Sequence, residues 1–364
     1  MLFDSSLRKE LGRSFSATLL VLATIVMTLM LVRTLGMASK GAVNPSDVMM
    51  VMAYTLIGQL PIILVLSLFA AVVSTLSRWY LDSEMVIWLG SGLSLDRFIR
   101  PLLRFAWPIL LVISALTLAG IPWSNQQIQR LRTQFEQRGD IERVAPGRFQ
   151  ESADGARVFF IDKDRLDSLS ARRVFIANRD ATHETLTMAE SAEVSTLKGE
   201  KTLHLKNGER VELPKSPTEN SRIVHFSDYT LTLAEAVLPD EVSMPTKSQE
   251  TGALWLDPNP IAQGEFAWRV SVVLSGFNLL LLGLGLSAVK PRAGRNSNLM
   301  LALFTFIVYF NLVNISQSWI SAGLIRAVPL LLSLHGGIFL LGCLLVAAQV
   351  GGWKSKFNRK RKAP

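Results

Sequence analysis

The sequence predicts an α-helical membrane protein, with six transmembrane helices arranged 3 + 3 around an inserted all-β extramembrane domain of jelly-roll or β-sandwich type. Three observations predict it. The 364 residues are 49% hydrophobic and only 18% charged. The apolar residues gather into six runs, each reaching the ~20 residues a helix needs to cross ~30 Å of hydrocarbon. Three runs precede, and three follow, a long polar stretch in which apolar and polar residues alternate as in strands.

The runs are Ser14–Leu35, Met49–Leu76, Leu102–Ile121, Phe266–Val289, Leu299–Ser318 and Val328–Val350. They divide the chain into residues 1–121 (helices 1–3), 122–265 (the β domain with its linkers) and 266–364 (helices 4–6 and a basic tail). Arg8, Lys9 and Arg13 precede the first run as in a signal peptide. The run exceeds the usual 7–15 residues, however, and no small-x-small cleavage site follows, which predicts a retained span.

Orientation follows from Lys and Arg in the short segments. One side carries Arg8, Lys9, Arg13, Arg78, Arg97, Arg100, Arg104, Lys290, Arg292, Arg295 and the tail from Lys354 to Lys362; the opposite short loops carry only Lys40 and Arg326. Both termini are therefore expected in the cytosol and residues 122–265 in the periplasm. The formal charge of +9 is topological, because residues 122–265 hold 18 basic and 23 acidic residues. Its counterpart is the anionic inner leaflet, not nucleic acid.

Within the inserted domain, Ile128–Gly139 looks helical and extends the third span outward. Strand-like alternation follows at Arg157–Ile161, Arg172–Ala177, Thr202–Leu205, Arg210–Leu213, Ile223–Phe226 and Thr230–Leu233, with Lys206-Asn207-Gly208-Glu209 as a hairpin-turn signal. The stretch Pro239–Pro260 reads as a linker with a short amphipathic entry to the membrane. Cys343, the single cysteine, lies in the sixth run, so no disulfide is expected in the β domain.

A search for chemistry excludes more than it finds. No Gly-Lys pair occurs, so the phosphate-binding loop GxxxxGK[ST] is absent and the chain is not itself the ATPase. His183, His204 and His225 lack completing ligands at zinc spacings and read as solvated strand histidines. A Ser–Lys peptidase has no specific support, since both residues are plentiful. The runs show no acidic residue at mid-depth, only Arg33 near the outer end of the first and His335 in the sixth, so no proton relay is drawn. His335 reads as a packing hydrogen bonder, and energy for transport is expected from a partner.

The segment Ser77–Pro101 offers a place for that partner. Ser83 is positioned to cap a short helix whose first turn holds Glu84, with Gly90 and Gly92 as terminators, and Met85, Val86, Trp88 and Leu89 are apolar. Such a helix docks into a partner's groove or lies on the bilayer; Asp82 and Glu84 oppose contact with anionic lipid and favour docking. Asn311, Asn314 and Gln317 form one stripe on the fifth span, facing either protein or a wet cavity.

Together, the 3 + 3 layout, Asp82–Ser94 (DSEMVIWLGSGLS), Leu31–Gly36 (LVRTLG) and Trp268–Arg295 (WRVSVVLSGFNLLLLGLGLSAVKPRAGR) resemble the LptF/LptG family of lipopolysaccharide export permeases. The LVRTLG block sides with the LptF half of that family. The resemblance implies a non-catalytic half-transporter that takes lipopolysaccharide from the outer leaflet of the inner membrane. Its implied partners are a sister six-span subunit (LptG type), a cytoplasmic ATPase dimer (LptB type) using ATP and magnesium, and periplasmic bridge proteins (LptC and LptA type). No cofactor is implied for this chain. Glu84, Met85, Trp88 and Leu89 would engage the ATPase, Arg33 would meet lipid phosphates, and the amide stripe would line a cavity or gate. A mechanotransmitting or sensor protein with a periplasmic ligand-binding β domain is the alternative.

Overall fold

A computed structural model of the protein describes residues 2–39, 47–92, 94–136, 149–151, 157–161, 170–179, 183–197, 200–214, 221–232, 244–288 and 295–361. In chain order the helices are α1 (Leu2–Ser39), α2 (Val48–Leu81), α3 (Glu84–Gly90), α4 (Ile99–Ala115), α5 (Ile121–Glu136), α6 (Thr251–Leu256), α7 (Pro260–Leu286), α8 (Arg295–Ser321) and α9 (Ala327–Arg361). Among the described residues six helices are long and apolar enough to cross a membrane: those at Asp4–Ala38, Val48–Leu81, Ile99–Gln134, Pro260–Leu286, Asn298–Ser321 and Ala327–Val350. A π-helical turn, Leu116–Gly120, joins α4 to α5 without a break, so the third span runs on into the segment read as helical from the sequence. Among the described residues the inserted region comprises six strands, β1 (Phe149–Glu151), β2 (Arg157–Ile161), β3 (Ser170–Arg179), β4 (His183–Leu197), β5 (Glu200–Pro214) and β6 (Arg222–Thr232).

Helix α7 is the pillar of the helical unit. Pro260 starts it with φ pre-set for a helix, and the Asn259 side chain accepts from the Ile261 N–H at 3.0 Å. Its glycines admit neighbours closely: a Cβ on Gly276 would meet Leu110 Cδ2 of α4 at 2.7 Å. Of its most apolar stretch 67% is buried, whereas none of the corresponding stretch of α1 is. The core around it draws on α1 (Leu7, Leu11), α2 (Phe69, Val72, Leu76, Trp79), α3 (Met85), α4 (Leu102, Ala106, Leu110), α8 (Phe306, Tyr309, Val313) and α9 (Val346).

The inserted domain is all-β among the described residues beyond α5, as expected, and its described strands form one antiparallel sheet in sequential order, β1-β2-β3-β4-β5-β6. The Lys206–Glu209 turn is not a hairpin: β5 runs straight through it. Likewise Thr202–Leu205 with Arg210–Leu213 is one strand, and Ile223–Phe226 belongs with Thr230 in another. The cause is a line crossing the sheet. Arg173 and Asn207 have φ of 47° and 50°, and the pairings skip Arg173, Glu190, Asn207 and Ser227 at one level while the register on either side is unchanged. Alternation therefore slips by one residue there: Leu203 and Leu205 are buried on one side of the line, and Gly208 and Arg210 are the less exposed residues on the other. Asn tolerates the left-handed conformation, and Gly208 leaves room that a side chain would fill with the Met188 carbonyl and the Phe226 ring. Val174, Ile176 and Ala189 from one side share a single core with Ala192, Leu203 and Leu205 from the other.

Candidate functional site

The chain leaves α2 by a tight reversal: Asp82 N–H donates to the Arg78 carbonyl at 2.8 Å and Ser83 N–H to that of Tyr80 at 3.4 Å. Ser83 precedes α3 as expected, but with φ of 62° and no side-chain cap; its carbonyl accepts from Val86 N–H at 3.1 Å instead. Gly92, with φ of 89°, ends the segment. Seven residues of helix do not persist alone in water. α3 is held by its inward face, where Met85 is fully buried, and Trp88 and Leu89 pack on the helical core. Trp88 stacks on Trp79 with ring centroids 6.3 Å apart, and Phe98 meets Trp79 edge-on at 6.4 Å. The outward face is different: Val86 is 52% and Ile87 71% exposed, with Glu84 half-buried beside them. Met85, Trp88 and Leu89 thus fix the helix, and Val86 with Ile87 is the apolar surface it offers.

Beneath α3, one carboxylate gathers two helices. The Glu10 carboxylate of α1 accepts from the Arg78 guanidinium and, at 2.5 Å, from the fully buried Trp79 indole N–H of α2. Ser14 and Ser74 share a hydrogen bond of 2.7 Å one turn further along. At the other end of α1, Arg33 is exposed between exposed Val32 and buried Thr34. The helix continues through Ser39, so Arg33 has about 9 Å of helix beyond it.

The amide stripe of α8 is split by its partners. Asn311 is exposed and donates to the Ile307 carbonyl of its own helix at 2.8 Å. Asn314 accepts from the Trp268 indole at 3.1 Å, and Gln317 donates to Glu265 at 3.2 Å, both on α7. These two serve interhelical packing in the structure.

Arg269, inside the fourth run, and Glu265, just before it, show that Arg33 and His335 are not the only ionisable groups of the spans, although Glu265 lies near the helix start and not at mid-depth. The fourth helix begins at Pro260, six residues before the apolar run, and both residues are buried in it. Arg269 donates Nε to Glu265 at 3.1 Å, Nη1 to the Gln249 carbonyl at 3.0 Å and the Thr251 hydroxyl at 2.8 Å, and Nη2 to the Lys247 carbonyl at 3.1 Å. Thr251 in turn donates to the Leu118 carbonyl at 2.6 Å, inside the π-helical turn, where the ordinary helical ladder is disturbed. One ion pair thereby joins α7, α8, the segment entering α6 and the third span. A carboxylate and a guanidinium four residues apart at the head of an apolar run is a sequence signal that would have found it.

His335 is enclosed in a second network: Nδ1 lies 2.7 Å from the Tyr309 hydroxyl and Nε2 3.0 Å from the Ser271 hydroxyl, while Asn278 donates to Tyr309 at 2.8 Å and to the His335 carbonyl at 3.0 Å. Both ring nitrogens are engaged in packing α7, α8 and α9 together. In the sheet, His204 pairs with Thr230 and His225 with Glu209. Among the described residues no group of three His, Cys, Asp or Glu is placed to hold a metal ion.

Comparison with known proteins agrees with this architecture. The chain is 26% identical over 317 residues to the lipopolysaccharide export system permease protein LptF of Escherichia coli K12, covering 85% of each chain, and the same figures hold for LptF of Shigella flexneri. The profile of the lipopolysaccharide export system permease LptF/LptG matches residues 7–348, from the buried start of α1 to the sixth span, and the chain belongs to that family.

Proposed function

We propose that this chain is a permease subunit of an ATP-binding-cassette transporter that draws lipopolysaccharide from the outer leaflet of the inner membrane and passes it to a periplasmic bridge. A sister six-span subunit (LptG type) completes the lipid cavity. A cytoplasmic ATPase dimer (LptB type) docks on α3 and supplies the ATP and magnesium chemistry. Bridge proteins of LptC and LptA type continue from the sheet domain. The positive-inside bias assigns α3 and both termini to the cytosol and the sheet to the periplasm.

The observation that carries the ATPase assignment is the two-sided character of α3. A short helix anchored through Met85 and Trp88 presents Val86, Ile87 and a carboxylate, Glu84, on the side that bears the basic residues. An apolar anchor with a flanking charge is what a partner groove recognises. Ile87→Asp and Glu84→Ala are expected to lose the ATPase on purification from detergent extracts, each weakening docking by ~1–3 kcal/mol. Trp88→Ala is expected to lower the melting temperature of the permease itself. Full ATPase recovery and full lipid release with Ile87→Asp and Glu84→Ala would remove the docking assignment.

A further inference from the structure

Docking at α3 is useful only if movement there reaches the spans, and the packing shows one helix poised to receive it. α1 is gripped at its start, where Leu7 and Leu11 are fully buried and Glu10 holds Arg78 and the Trp79 indole N–H. Beyond Phe15, which meets Phe105 edge-on at 6.2 Å, its most apolar stretch has no buried residue. Leu20, Leu29 and Val32 are 71%, 60% and 67% exposed. The grip and the docking helix meet on the same ring, since Trp79 is bonded to Glu10 and stacked on Trp88 of α3.

We propose that Glu10 is a positioning residue that clamps α1 to the docking helix through Trp79 and Trp88, so that displacement of α3 tilts α1 as a lever. The inference rests on the reading of α3 as the ATPase dock. A fully buried indole has two faces of use: its ring plane follows Trp88, and its N–H fixes the carboxylate of another helix with a charge-assisted bond. Loss of the carboxylate leaves α3 anchored by Met85 and Trp88, and α1 packed through Leu7 and Leu11, but removes the directional bond from α1 to the Trp79 ring on which α3 stacks.

The test uses the whole complex in lipid nanodiscs with a spin label at Leu29, in a Cys343→Ser background. Ile87→Asp serves as the docking control. Glu10→Ala is expected to keep ATPase copurification and ATP hydrolysis at the wild-type level, to abolish the nucleotide-dependent change in the label's spectrum, and to lower lipid released per ATP roughly tenfold. Trp79→Phe, which keeps a smaller aromatic ring against Trp88 and removes the N–H, is expected to share the defect, and Glu10→Gln, which keeps an acceptor oxygen for the indole, to lie closer to wild type. Wild-type spectra and lipid-to-ATP ratios in both Glu10→Ala and Trp79→Phe would overturn the lever, as would loss of the ATPase from Glu10→Ala. If Ile87→Asp retains the ATPase, the docking reading falls and takes this inference with it; if only the Glu10 and Trp79 variants behave as wild type, docking stands and the lever alone falls.

Discussion

Arg33 shows how little a residue's type decides without its surroundings. A long cation on an apolar helix either snorkels to water or meets an anion. With Val32 outward and six helical residues still to come, the guanidinium has apolar surface beside it, and in a span that crosses hydrocarbon it would meet less water than a charge at a helix end. Weaker screening there strengthens attraction to a phosphate, and the planar fork binds phosphate bidentately. Arg33→Lys should therefore be mild, Arg33→Gln should weaken capture of lipopolysaccharide, and Arg33→Glu should be worst, with complex assembly unchanged. Photocrosslinkers at Leu29 or Val32 read this directly; a wild-type yield in Arg33→Glu would leave Arg33 as a snorkelling residue. Thr34, being 1% exposed, is a poor crosslinking site. At this scale sequence reasoning found the exposed polar residues and missed the buried ones. Glu10 and Trp79 are 69 residues apart, and no periodicity reports a hydrogen bond over that span. Trp88 reads as an outward anchor until the ring beneath it is known.

Elements were legible wherever one local property decided them. Spans follow from apolar length alone, because insertion depends on the composition of each segment. The strands were harder, because Asn-Gly is the same signal for a hairpin turn and for a left-handed residue within a strand. Gly208 discriminates between the two in the folded protein. Gly208→Val should force the Met188 strand and the Phe226 ring apart, with Phe226 Cε2 only 2.8 Å from the new Cβ, and cost more than ~2 kcal/mol of sheet stability; in a hairpin tip the cost would be backbone strain without loss of core. Thermal unfolding followed in the sheet, with Ser227→Ala as the comparison, separates the cases. For α7 the governing rule is that half of a buried ion pair is worse than none. Glu265→Leu leaves Arg269 charged and under-bonded among the Lys247, Gln249 and Thr251 oxygens and should cost about 3–5 kcal/mol, whereas Glu265→Leu with Arg269→Leu should recover much of that loss. A double mutant no more stable than Glu265→Leu alone would mean that Arg269 is needed for its bonds to the α6 segment and not for the pairing.

The whole molecule divides along its contacts: residues Arg130–Ser243 cluster with Leu35–Val48, and the remaining residues form the helical unit. The sheet unit has its own core in Val174, Ile176, Ala189, Ala192, Leu203 and Leu205, closed by Phe226, Tyr229 and Leu231. Its ladders β3–β4–β5–β6 satisfy backbone groups from within the domain, so no lipid is required to hold them. Nor is a disulfide available, since Cys343 lies in α9. Residues Gln137–Met244 expressed alone should therefore fold in water as a β domain with a stability on the order of 5 kcal/mol, unchanged by reductant or chelator. Among the described residues β1 and β6 are the edges of the sheet, so such a fragment should associate at high concentration unless β6 is blocked; Ile223, 60% exposed on that edge, is the residue to replace with lysine. Circular dichroism and sedimentation decide the matter. A mainly helical spectrum, or folding that depends on added zinc or on detergent, would show that the sheet is held by something outside itself.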